Sequence, residues 1–153
     1  MDDKPQKILW PTDFSELSQK AGRVAGAIAR MFDAELHVIH VIPPPITPDV
    51  AAVLPAEAPI MITDPKALDA TRDGLKRRVQ DTCGDVSQVS IDAFYGNPWS
   101  GVCEYAKKHG VDLIVVSTHG RTGLAHVLIG STAERIVQHA SCAVLVVKQS
   151  APG

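Results

Sequence analysis

"VDLIVVSTHGRTGLAHVLIGSTAERIV", residues 111–137, changes character twice. Val111 to Val116 is apolar except for Asp112, which reads as a short strand buried on both faces. Gly120, Gly123 and Gly130 then punctuate a loop. From Ser131 to Ala140 the pattern is helical, with Ile136 and Val137 predicted to face inward. Strand, glycine loop and helix in this order form part of a βαβ unit, which asks for a parallel sheet.

Ser131-Thr132-Ala133-Glu134 has the spacing of an S-x-x-E capping box and places Gly130 and Ser131 at a helix N-terminus. Backbone N–H groups point outward there, and the helix dipole favours an anion. Gly130 removes a side chain where a phosphate would approach the backbone, and Gly120, just beyond the strand, does the same at the other lip. Nine residues separate these two glycines, enough to wrap around a polyphosphate. The loop is not a Walker A loop, because no Lys follows a glycine before a Ser or Thr, and it lacks the GxGxxG fingerprint. The plain alternative is that Gly120 and Gly123 are turn glycines and that Ser131 only caps its helix.

Outward from this stretch the chain alternates. Lys7 to Trp10 reads as a strand stopped by Pro11. Asp13 and Glu16 have capping-box spacing, so a helix starts here, with Leu17, Ala21, Val24, Ile28 and Phe32 at helical intervals. Gly22 and Gly26 lie one turn apart on it and permit close packing. Leu36 to Ile42 is a strand. Residues 43–65 hold seven of the eleven prolines and read as a long loop. A helix follows over Lys66 to Cys83, with Leu68, Leu75 and Val79 inward, then a strand over Val86 to Tyr95. Asn97-Pro98 is an N-cap and first-turn proline opening a helix that buries Trp99, Val102 and Ala106 and stops at Gly110. Cys142 to Val147 is the last strand. These elements predict an α/β fold: a doubly wound parallel sheet with helices on both faces and right-handed crossovers.

The 153 residues suit one domain spanning 1–153, long enough to bury a core without disulfides or metal. A formal net charge of −2 gives no bulk field for nucleic acid or membrane, and neither is expected as a partner. Cys83, Cys103 and Cys142 are scattered and odd in number, without the spacing of a zinc site. Reduced cysteines and an acidic N-terminus without an apolar signal segment predict a cytoplasmic location. No apolar run reaches the roughly 20 residues of a membrane span.

Pro11-Thr12-Asp13 also lies just beyond a strand's carboxyl end, the edge at which open α/β sheets bind ligands where strand order reverses. If the first and fourth strands are neighbours, Asp13 faces the Gly120–Gly130 loop. A carboxylate accepts from ribose hydroxyls and a glycine loop takes phosphates, and together they describe a nucleotide.

The chain resembles the universal stress protein family over nearly its whole length. The matching pieces are KILWPTDFSE at 7–16, LHVIHVI at 36–42, STHGRTGL at 117–124, GSTAERIV at 130–137 and SCAVLVVK at 141–148. The resemblance implies a five-stranded parallel sheet of order 3-2-1-4-5. It also implies an adenine nucleotide, ATP or else ADP or AMP, held through the signature G-x2-G-x9-G-[ST]. The last three fixed positions are Gly120, Gly130 and Ser131; Ser117 replaces the first glycine, and its hydroxyl can meet a ribose. By this resemblance Asp13 holds ribose, and Pro11, Thr12 and Val41 line the adenine pocket. Ser117, Gly120, Arg121, Gly130, Ser131 and Thr132 hold ribose and phosphates. A divalent ion, Mg2+ or Mn2+, sits on phosphate oxygens with few protein ligands. His119 is a further candidate phosphate contact, with Arg121 the better one because its charge is permanent.

An ATP pyrophosphatase of similar topology needs a Ser/Gly-rich loop after its first strand, where Pro11-Thr12-Asp13-Phe14 stands. A Rossmann dehydrogenase needs an acid after its second strand, where Val41-Ile42-Pro43 stands. His37 and His40 face opposite sides of a strand and read as packing residues. Arg77-Arg78 and Lys107-Lys108 read as solvated helix faces. No Ser-His-Asp or Cys-His arrangement and no general base beside the loop is readable, so hydrolysis is expected to be slow at most. The apolar edge strand Cys142–Val147 invites pairing, and with family resemblance predicts a homodimer. The sequence reading is a cytoplasmic ATP-binding regulatory switch of the stress response. A nucleotide-free interaction module and a slow ATPase are the alternatives.

Overall fold

Ile8, Leu9 and Trp10 have no solvent exposure, and the strand they form is the middle of the sheet. In the computed structural model, which describes residues 3–43, 52–53, 64–118 and 129–148, β1 (Lys7–Pro11) lies between β2 (Glu35–Ile42) and β4 (Leu113–Ser117). β3 (Val89–Tyr95) and β5 (Ala143–Val147) are the edges, so the order is 3-2-1-4-5 and every pair is parallel. The expected fold and order are thus those observed. Helices α1 (Glu16–Phe32) and α2 (Pro65–Thr82) cover one face; α3 (Pro98–His109) and α4 (Ser131–His139) cover the other. Most of the proline-rich stretch, 44–51 and 54–63, lies outside the described residues, while Pro65 itself opens α2 behind the N-cap Asp64.

The helix ends follow local chemistry, with corrections to the sequence reading. Asn97 caps α3 through its side chain, and Gly110 ends it in the left-handed region at φ 66°. At α1 the N-cap is Ser15, whose hydroxyl accepts from Ser18 N–H; Asp13 instead accepts from Ser15 N–H at 2.9 Å. The Asp13/Glu16 capping box is therefore not formed, because the turn at 12–15 uses Asp13 before the helix begins. The large residues of α1 also do not make its inner seam. Ser18, Ala21, Gly22, Ala25, Gly26 and Ala29 are buried, Val24 and Ile28 flank them, and Phe32 is exposed. Sheet and helix approach so closely that only small residues fit: a Cβ on Gly22 would lie 2.5 Å from the Trp10 ring, and one on Gly26 2.8 Å from Cys83 Cα. Val137 is likewise not inward. It is 46% exposed, and Ile136 and Ala133 form the buried line of α4.

The three cysteines are unpaired. Cys83 is fully buried with its thiol directed to the Gly22 carbonyl at 3.5 Å, and burial pushes its pKa to about 12, which suits a structural and unreactive residue. His37 and His40 do face opposite sides. His37, 4% exposed, bonds Tyr105 Oη at 2.8 Å on the α3 face, beside His109; His40 meets Phe14 on the other. His37 Nε2 lies 3.1 Å from Glu35 Oε1 without a hydrogen bond. Burial pushes the His37 pKa down, more than Glu35 raises it, with His109 and Lys7 acting in the same direction as burial.

Gly22→Ala is expected to destabilise by about 1–3 kcal/mol despite its helix propensity, because Trp10 cannot yield. Gly74→Ala, whose new methyl would meet only the Phe14 ring at 3.7 Å, is expected to stabilise by about 0.5–1 kcal/mol. Urea unfolding distinguishes the two signs. For His37 the unfolded chain binds a proton with an ordinary pKa of 6.5 and the folded chain resists it. Its contribution is therefore complete above that value and is lost as the pH falls below it. Stability measured at pH 7.5 and 5.5 is expected to fall on acidification, and to fall less in His37→Gln.

Candidate functional site

The site is where β1 and β4 part. Their registered pairs are Ile8–Leu113 and Leu9–Ile114 only, whereas β1 stays paired with β2 to Pro11–Ile39, and β4 with β5 to Ser117–Val147. Beyond Leu9 the two central strands diverge toward their carboxyl ends, with α1 leaving β1 on one face and α4 entering on the other. A cavity of about 490 Å³ opens there, within the range of small-molecule sites.

Eight of the predicted residues line it: Pro11, Thr12 and Asp13 from the end of β1, Val41 from β2, Ser117 from β4, and Gly130, Ser131 and Thr132 from the start of α4. The adjacency of the first and fourth strands does what the sequence reading required of it, bringing Asp13 and the Gly130 entrance to one cavity. His119, Gly120 and Arg121 lie outside the described residues.

The entrance of α4 differs from the expected capping box. Gly130 is the N-cap, in extended backbone with no side-chain cap bond, and Ser131 is the first helical residue. The first intrahelical bond is Glu134 N–H to the Gly130 carbonyl at 2.9 Å. The amides of Ser131, Thr132 and Ala133 precede it and have no acceptor within the helix. Gly130 N–H itself donates to the Thr118 carbonyl, and Thr118 N–H donates to the Val147 carbonyl at 3.1 Å. Thus the β4 lip and the α4 entrance are tied together through one carbonyl. Glycine as N-cap leaves the helix dipole open to the cavity, which suits an anion.

The opposite wall is a hydroxyl cluster. Ser18 Oγ donates to Thr12 Oγ1 at 2.9 Å, and Phe14 N–H donates to the same oxygen at 3.1 Å. His40 Nδ1 lies 2.7 Å from the Thr12 carbonyl; a carbonyl only accepts, so Nδ1 carries the proton. Val41, Val102, Val116 and Ile136 supply an apolar surface between the polar ends. Ser18, His40, Pro98 and Thr118 also line the cavity and were missed in the sequence. The signal for His40 was its place beside Val41 at the end of β2. Ser18 gave none, because its inward turn depends on how deeply α1 sits. Among the described residues no group of three or more His, Cys, Asp or Glu is arranged for a metal.

The family model of the universal stress proteins matches residues 4–148. The chain belongs to the universal stress protein family. A curated universal stress protein of Methanocaldococcus jannaschii, MJ0531, is 36% identical over 146 residues, covering 94% of this chain and 82% of its own. The solved structure of MJ0577, from the same organism, is similar with a TM-score of 0.75 and 28% identity, covering 96% of this chain and 98% of that one. A universal stress protein solved in complex with cAMP shares the fold at a TM-score of 0.65 and 22% identity, over 96% of this chain and 99% of that one. In this universal stress protein no described helix is long and apolar enough to cross a membrane.

Proposed function

We propose that this universal stress protein binds ATP in the cavity at the β1–β4 switch point and acts as a homodimeric regulatory switch in the stress response, in the cytoplasm. The observation that carries the reading is that one cavity has a carboxylate, Asp13, at one side and an uncapped helix N-terminus, Gly130–Thr132, at the other. That is the polarity of a nucleoside phosphate. Asp13 would accept from ribose hydroxyls, while Pro11, Thr12 and Val41 would enclose the adenine. The amides from Ser131 onward and the hydroxyls of Ser117, Ser131 and Thr132 would donate to phosphate oxygens. His119, Gly120 and Arg121 are assigned to the phosphates from the signature. A bound Mg2+ or Mn2+ would supply charge neutralisation on the phosphates, with most of its ligands from phosphate and water.

The same lining argues for binding over turnover. Asp13 and His40 are its only titratable members among the described residues, and each already has a backbone partner. Neither is placed as a general base, so hydrolysis is slow or absent. Ser117 in place of the first signature glycine supports the second reading, an interaction module of this fold that carries no nucleotide. The homodimer reading rests on β5, an edge strand whose Ala143 and Leu145 are exposed, Leu145 by 38%.

Calorimetric titration with MgATP is expected to show binding to the wild type and none to Gly130→Asp. Asp is a favourable N-cap, so urea stability of that variant should be unchanged or raised while its carboxylate occupies the phosphate position. Absence of binding to the wild type would leave the nucleotide-free module. Light scattering is expected to give twice the chain mass of 16.3 kDa, and the single-chain mass for Leu145→Asp. A wild type of single-chain mass would refute the dimer.

A further inference from the structure

Phe14 stands between Asp13 and the N-cap of α1 with φ 66°, in the left-handed region that a bulky side chain avoids. The other non-glycine residue there among those described is Asp33, at the C-cap of α1. Asp33 ends a helix in the usual way, whereas Phe14 ends none. A conformation of this kind persists only where the surroundings over-determine it, and three contacts do so. Phe14 N–H is held by Thr12 Oγ1 at 3.1 Å. Its ring stands edge-on to His40 with centroids 5.0 Å apart. The Arg78 guanidinium lies over the ring at 5.8 Å from its centroid. Gly74, one turn earlier on α2, faces the ring with room for a methyl, since a Cβ there would meet it at 3.7 Å. Arg78, read from the sequence as part of a solvated helix face, is half-buried and leans over this ring.

These contacts close a circuit around the cavity wall. His40 grips the Thr12 carbonyl, Thr12 grips Phe14 N–H, and the Phe14 ring returns to His40. Asp13 is the residue the circuit encloses, and its carboxylate is oriented by Ser15 N–H on the far side of Phe14. With Phe14 in the ordinary helical or extended region the chain would continue toward α1 in another direction, and Ser15 N–H would no longer meet the Asp13 carboxylate.

We propose that Phe14 is a positioning residue: its ring, wedged between His40 and α2, latches the left-handed turn that aims Asp13 at the ribose hydroxyls of a bound nucleotide. This rests on the nucleotide reading above. Phe14 touches no ligand; it acts through Asp13.

The test compares calorimetric affinities for MgATP and for Mg-dideoxyATP, which lacks the ribose hydroxyls, alongside urea unfolding. The wild type is expected to prefer MgATP. Phe14→Ala should lose most of that preference, by about tenfold for one charge-assisted hydrogen bond. Phe14→Tyr, which keeps the ring, should retain it. Phe14→Gly adopts the turn without strain and so folds even if Phe14→Ala does not, yet lacks the latch, and should also lose the preference. In an Asp13→Ala background Phe14→Ala should change the ratio no further. Folded Phe14→Gly or Phe14→Ala with the wild-type ratio would overturn the latch and leave the nucleotide reading standing. A wild type that binds both nucleotides equally would instead overturn the ribose role of Asp13, and the latch with it.

Discussion

Trp10 fills the space that a side chain at Gly22 would need, and the rest of the molecule is arranged around that fit. The indole is fully buried in the central strand, and its Nε1–H donates to the Ser18 carbonyl at 3.0 Å. One bond and one missing side chain thus fix how deep α1 sits and where its first turn lies. Ser18 then reaches Thr12, Thr12 is held by His40, and the wall of the cavity is continuous with the core. A tightly packed interior has few alternative arrangements, so the polar groups over it inherit its rigidity.

The second constraint is topological. Chain order sends β2 and β3 to one side of β1 and β4 and β5 to the other, so the helices after β1 and β4 lie on opposite faces. Among the described residues none fills the gap between them at the strands' carboxyl ends. The gap is polar at both sides for different reasons. At β1 a side-chain carboxylate and hydroxyls supply the polarity; at α4 the backbone supplies it, through amides that precede the first helical bond. A glycine N-cap leaves those amides for a ligand, where a serine or aspartate would have used one of them.

The elements were legible because apolar runs and caps are local. Asn97-Pro98 and Gly110 bound α3 as read, and the five strands stand where short apolar or alternating runs predicted them. The misreadings share one cause, a neighbour that no local pattern announces. The Ser131–Glu134 spacing reads as a capping box, yet the Thr118 carbonyl holds Gly130 N–H and makes Gly130 the cap. The large residues of α1 read as its buried face, yet Trp10 and Cys83 admit only Ala, Gly and Ser. Val137 reads as inward from its apolar character alone, and the narrow contact of α4 leaves it outside.

By itself the sequence determined the fold class, the family, and the two segments that carry polar chemistry, Pro11–Asp13 and Gly130–Thr132. Periodicity, glycine placement and motif order depend only on near neighbours in the chain. Only the tertiary structure decided that these segments share one cavity, that Ser18 and His40 belong to its wall, and that Phe14 is held left-handed beside Asp13. Those facts depend on strand adjacency and on packing between residues far apart in sequence: β1 against β4, Thr12 against His40, and Phe14 against α2.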